Sequence, residues 1–141
     1  MNTNPHQAVL SLGANLGDAA ANLARAVQAL THLPHTHVLR TSQIHRTTAV
    51  EVPSPQPDYL NLCVLLETTL PPHALLGSCL GIEAALGRER PYPHAPRIID
   101  IDLICMQHTP PIDDAILTLP HPRAAAREFV TIPMAELDLT W

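Results

Sequence analysis

Apolar residues recur along the chain at two spacings, and the spacing marks out the elements. Ala8 to Leu12 is a short aliphatic run, which predicts a buried strand. Gly13 to Asp18 turns the chain, with Asp18 placed as an N-cap, and two glycines here need mean no more than a tight strand-to-helix turn. Leu23, Val27 and Leu30 then recur at four and three residues, predicting an amphipathic helix to about Leu33. Val38 to Thr48 alternates, with β-branched residues, and reads as one strand. Pro53, Pro55 and Pro57 mark a loop. Tyr59 to Thr69 is the next strand, with Tyr59, Asn61, Cys63 and Leu65 on one face and Leu60, Leu62, Val64 and Leu66 on the other. Pro71-Pro72 opens a second helix, buried through Leu75, Leu76, Cys79, Leu80, Ile82 and Leu86 and ended by Gly87. Ile98 to Cys105 is the last long strand. Ile116 to Leu119 predicts a short strand, and Ala124 to about Asp138 is helical in tendency, with Phe129, Val130 and Ile132 to Met134 turned inward. Pro133 within it predicts two short pieces.

The series strand, helix, strand, strand, helix, strand predicts an α+β fold. It is that of a ferredoxin-like βαββαβ plait, an antiparallel sheet covered on one face by helices, with C-terminal additions. No linker divides the chain, so residues 1–141 read as a single domain.

Composition narrows the chemistry. With 46% hydrophobic and 15% charged residues the chain reads as an ordinary globular protein, and no apolar run is long enough for a membrane span. Met1 to Gln7 is polar, without the basic start and apolar middle of a signal peptide. Three scattered cysteines, Cys63, Cys79 and Cys105, predict buried free thiols and a reducing cytoplasm. A net charge of −5 gives no bulk attraction to nucleic acid. All eight basic residues are arginine. Without lysine there is no Walker A loop and no Schiff-base chemistry, so any phosphate handling falls to arginine and metal.

One stretch concentrates the candidate chemistry. Asp100 and Asp102 share a face of the last strand, roughly 7 Å apart at the backbone, with Ile99, Ile101, Leu103 and Cys105 on the other. Two converging carboxylates repel unless a cation lies between them, and Mg²⁺ is the usual choice. Arg88, Arg90 and Arg97 come from the adjoining proline-rich loop and suit a polyphosphate. Spacing alone also allows a solvated strand face whose arginines balance the charge. Asn61 opens an otherwise apolar face, so a neighbour or a ligand has to satisfy its amide.

Four stretches together resemble the 6-hydroxymethyl-7,8-dihydropterin pyrophosphokinase family. They are Leu12 to Asp18, Gln56 to Asn61, Gly87-Arg88 with Pro96 to Asp102, and Leu119 to Arg123 followed by Arg127 and Phe129. The resemblance implies transfer of pyrophosphate from ATP to the hydroxymethyl group of the pterin, releasing AMP, in folate biosynthesis. It implies that Asp100 and Asp102 ligate two Mg²⁺ ions, and that Arg88 and Arg97 stabilise charge during transfer, helped by Arg90. His121 and Arg127 are implied as further ATP contacts. Tyr59 and Phe129 would sandwich the pterin, with Asn61 on its edge beside Thr47, Thr48 and Val50. Glu83 corresponds to a carboxylate near the family's site. By themselves, Tyr59 and Phe129 read equally well as core aromatics, and His121 between two prolines as a turn residue. The arginine loop departs from the family: Pro91 and His94-Ala95 stand where a lysine and a Trp-Gly are common. Tyr92 is the candidate replacement for the indole. Leu80 stands where a glutamine near the adenine is frequent.

The expected partners are small molecules alone, ATP and the pterin, with no nucleic acid, no membrane and a monomeric, cytoplasmic protein. Two other readings remain open to assay: a non-catalytic ferredoxin-like ligand-binding module, and a palm-type nucleotidyl transferase.

Overall fold

A computed structural model describes residues 4–49, 55–89, 91–139 and 141. Its long elements follow the predicted series: β1 (His6–Ala14), α1 (Ala19–Thr31), β2 (Thr36–Thr41), β3 (His45–Thr47), β4 (Tyr59–Thr68), α2 (Pro72–Ala85) and β5 (Asp100–Met106). A short hairpin of β6 (Ile112–Asp113) and β7 (Thr118–Leu119), a 3-10 turn at Ala124–Ala126 and α3 (Glu128–Ala135) complete the chain. The sheet runs β2-β4-β1-β5, with β3 beside β4, and every pairing is antiparallel.

Alternation along β1 and β4 builds two cores. Leu10, Leu12, Leu62, Val64 and Leu66 point towards α1 and α2, where Leu23, Ala26, Leu30, Leu75, Cys79 and Ile82 close the larger core. Val9, Cys63 and Leu65 point the other way and are covered by Ala124, Val130 and Leu137. The C-terminal additions therefore occupy the face opposite the two main helices, and the sheet is covered on both faces rather than one. They cover only part of it, which leaves a cleft beside α3.

Other expectations are corrected locally. Val38 to Thr48 is two strands. The Ser42 hydroxyl takes the Cys63 N–H at 2.9 Å and Glu136 takes the Gln43 N–H at 2.8 Å, which ends the ladder at Thr41 until His45 resumes it. A bulge in β5, where Leu10 faces Leu103 and Val9 faces Cys105, adds Ile104 and turns both Ile104 and Cys105 onto the α3 side. Cys105 thus leaves the face it was expected to share with Leu103. Leu80 is half exposed, lying off the stripe formed by Leu75, Cys79 and Ile82, while Glu83 is buried on α2. Ile132 is exposed, while Pro133 is buried inside α3. The chain breaks at Arg127 rather than at Pro133, since a two-turn helix forfeits a single internal bond to the proline.

Two helix ends help to set the geometry of the cleft. Asp18 caps α1, its carboxylate accepting from Ala21 N at 3.1 Å. At the end of α2, Gly87 adopts φ +91°. Gly87 N donates to Ala84 O and Arg88 N to Glu83 O, both at 3.1 Å, a Schellman closure. That closure folds Arg88 back over Glu83.

Candidate active site

Strand register decides which polar side chains meet. Gly13 of β1 lies opposite Asn61 on β4 and opposite Asp100 on β5, so the three form one row across the sheet. Ser11 lies opposite Asp102 in the same way. Two strand spacings put Asn61 and Asp100 about 10 Å apart at the backbone. Between them Gly13 contributes no side chain. A Cβ there would meet Asn61 Oδ1 at 3.0 Å.

This row floors a cleft of about 540 Å³ on the face that carries α3. Thr47, Thr48, Tyr59, Asn61 and Phe129 line it together with Arg97, Asp100, Asp102 and Arg127. Asn61 donates to the Thr47 hydroxyl at 2.8 Å, so its Nδ2 has a neighbour even before a ligand arrives. Arg127 places its guanidinium carbon 5.3 Å from the Phe129 ring centroid, a cation–π contact.

The two aspartates differ. Asp100 is held by Arg88, at 2.7 Å, and by Arg97. Burial pulls the Arg97 guanidinium down, yet the adjacent Asp100 carboxylate outweighs it and holds the charged form more firmly than usual. Asp102 has no ion pair or side-chain hydrogen bond among the described residues. Burial first, and then the negative charge of Asp100, push its carboxyl above the ordinary range against the pull of His121, Arg127 and Arg97. Among the described residues no third His, Cys, Asp or Glu stands close enough to complete a protein cage. Two carboxylates in an open cleft fit Mg²⁺, which keeps water and substrate phosphate in its remaining positions.

Two more of the expected residues adjoin the aspartates without being among the cleft's lining residues. Arg88 reaches Asp100 from outside the cleft lining, and its buried Nε, like that of Arg97, has no hydrogen-bond partner among the described residues. His121 is half-buried and its Nδ1 accepts from Arg123 N at 3.2 Å, which leaves Nε2 to carry the proton of the neutral ring. Burial lowers its pKa, with Asp102 acting in the opposite direction and Arg127 and Arg123 adding to the fall. Val50 and Arg90 lie outside the described residues. Tyr92 is exposed and does not line the cleft.

Glu83, which the sequence left without a role, is 4% exposed on α2. Its Oε2 accepts from Ile101 N, the amide between the two aspartates, at 2.7 Å and lies 3.7 Å from Arg88 Nε. Desolvation raises its carboxyl to about 7 although the Ile101 bond and Arg88 favour the charge. Ser11, Gly13, His94, Ala126 and Glu128 also line the cleft without having been singled out. Strict alternation from Val9 would have found Ser11 and Gly13.

Comparison with known proteins gives this geometry a family. Residues 9–139 match the family model described as 7,8-dihydro-6-hydroxymethylpterin-pyrophosphokinase. The chain is 43% identical to the 2-amino-4-hydroxy-6-hydroxymethyldihydropteridine pyrophosphokinase of Methylorubrum extorquens, over 93% of this chain and 82% of that protein. It is 40% identical to the protein of the same name from a Synechocystis strain, over 96% of this chain and 68% of that one. A folate synthesis bifunctional protein of pea is 34% identical over 96% of this chain, which spans 26% of that protein. The sequence motifs, the plait and the cleft agree, and the chain belongs to the 7,8-dihydro-6-hydroxymethylpterin-pyrophosphokinase family.

Proposed function

We propose that the cleft binds MgATP against Asp100, Asp102 and the arginines, and 6-hydroxymethyl-7,8-dihydropterin against Tyr59, Asn61 and Phe129. The pterin hydroxyl forms a new bond to the β-phosphorus while the bond from that phosphorus to the α–β bridging oxygen breaks. AMP leaves on that oxygen, and the hydroxyl proton passes to solvent. The observation that carries this reading is the shared row of Asn61, Gly13 and Asp100, which joins an amide-lined slot to a carboxylate pair within one cleft.

Pyrophosphoryl transfer asks for in-line positioning and neutralisation of charge, and the residues divide that work. Asp100 and Asp102 would hold the metal, and the family resemblance implies two ions. When bound, magnesium polarises the phosphoryl oxygens and eases loss of the hydroxyl proton. Arg88 and Arg97 stabilise the charge moving between the β- and α-phosphates, with Arg90 assisting. Arg127 and the Nε2–H of His121 contact phosphate oxygens. Tyr59 and Phe129 take the flat ring between them. Asn61, with Thr47 and Thr48 at its side, reads the ring's polar edge, and the resemblance adds Val50 to that set. Three free cysteines suit a reducing cytoplasm.

The test is product analysis. AMP should appear from ATP only when the pterin alcohol and Mg²⁺ are both present. ADP would indicate a kinase, and no nucleotide product a binding module. Arg97→Ala should slow single-turnover transfer by at least about 100-fold while changing pterin affinity little. A weakened affinity at an unchanged rate would refute its assigned role.

A further inference from the structure

Asn15 lies in the turn between β1 and α1, within the Leu12 to Asp18 stretch, and the sequence assigned its side chain no role. It is 2% exposed, and its amide is used on both sides. Oδ1 accepts from Arg97 N at 2.8 Å. Nδ2 donates to Gln56 Oε1 at 3.0 Å and to Pro57 O at 3.2 Å. The backbone repeats the link, since Asn15 N and Leu16 N both donate to Arg97 O, at 2.9 and 3.1 Å. Gln56 extends it by donating from Nε2 to His94 O at 2.7 Å. One buried amide thus ties together three segments that are 41 and 82 residues apart in sequence.

What those segments carry gives the tie its meaning. Arg97 ends the proline-rich loop and faces the phosphate part of the cleft. Gln56 and Pro57 lead into Tyr59 and Asn61, the slot for the ring. Gly13, two residues before Asn15, lies between the two in the sheet. We propose that Asn15 is a positioning residue that fixes Arg97 relative to the ring slot, with Gln56 as its outer half. It touches neither substrate and acts through Arg97. The inference rests on the role of Arg97 in the proposed transfer. A rigid anchor here matters because His94 and Arg97 of the proline-rich loop both line the cleft, and a misplacement of about 1 Å in a catalytic group costs on the order of 100-fold.

Asn15→Ala, Arg97→Ala and the double variant test it, with single-turnover transfer, equilibrium pterin affinity and thermal midpoint measured for each. The expected result is a rate loss of about 30- to 100-fold for Asn15→Ala, with pterin affinity several-fold weaker. In the Arg97→Ala background the same change should cost less than about threefold, because a residue that acts through Arg97 has nothing left to position. A purely structural role would lower the midpoint and multiply the two rate losses, which overturns the inference. An unaffected Asn15→Ala beside a slow Arg97→Ala overturns it while leaving the proposed function standing. Arg97→Ala at the wild-type rate removes the role of Arg97 and the inference with it. If Asn15→Ala does not fold, Gln56→Ala decides, because it removes only the outer half. A loss of about fivefold that vanishes in the Arg97→Ala background supports the tie, and any other result overturns it.

Discussion

Replacing Glu83 by glutamine should make the protein more stable relative to wild type as pH rises through neutrality. Glu83 sits beneath the aspartate strand, and burial lifts its carboxyl from 4.5 to about 7. A raised carboxyl means the folded state prefers the proton. Below about pH 4.5 folded and unfolded chains are both protonated at this position, and the side chain is at its least costly. As pH rises towards 7 the unfolded chain releases the proton first, and wild type loses stability until the folded carboxyl also ionises. The difference between 4.5 and about 7, at 1.36 kcal/mol per pH unit, gives about 3 kcal/mol. The group is 4% exposed, so solvent screening removes little of this. Glutamine imitates the protonated acid and still offers an oxygen to Ile101 N, so it retains the bond without the titration. Urea unfolding of both proteins, without ATP or metal, from pH 4 to 8 measures the difference in unfolding free energy. That difference should grow with pH in favour of Glu83→Gln by about 3 kcal/mol, mostly between pH 4.5 and 7. A difference constant to about 0.5 kcal/mol across the range would refute the reasoning, because it would mean that Glu83 is ionised equally in both states.

Other perturbations separate binding from chemistry. Asp102→Asn removes a carboxyl held above its ordinary range by burial and by Asp100, so the variant should unfold at a higher temperature than wild type at pH 8 while losing most of its AMP production. A less stable variant would contradict the direction of that shift. Gly13→Ala brings a methyl to 3.0 Å from Asn61 Oδ1 and must displace the amide. Pterin affinity should fall by about tenfold, with ATP affinity measured by calorimetry unchanged. Stripping divalent cations with EDTA should abolish AMP release, and excess Mg²⁺ should restore it. Activity that survives the chelator would remove the metal role given to Asp100 and Asp102.

The fold was largely legible because its signals are local. Tyr59 to Thr68 keeps a period of two, Leu23 and Leu30 keep a helical one, and Asp18, Pro72 and Gly87 punctuate them. What escaped were places where a distant group replaced a local one. Glu136, some 90 residues on, takes the Gln43 amide and interrupts a strand that reads as continuous. Ile104 is inserted where β5 meets β1, and no pattern in β5 alone announces which neighbour will be skipped. Of the residues that line the cleft, Tyr59, Asn61, Arg97, Asp100, Asp102 and Phe129 all lie in the stretches that carry the resemblance.

By itself the sequence determined the residue types the chemistry needs: paired acids at a strand spacing, arginine in place of lysine, and a polar amide on an apolar face. Only the tertiary structure decided that Gly13 separates Asn61 from Asp100, that Glu83 holds the amide between the aspartates, and that Asn15 anchors Arg97. The reason is physical. Side-chain identity and periodicity are properties of short stretches, whereas strand register and buried hydrogen bonds are settled only when segments far apart in the chain compete for the same partners.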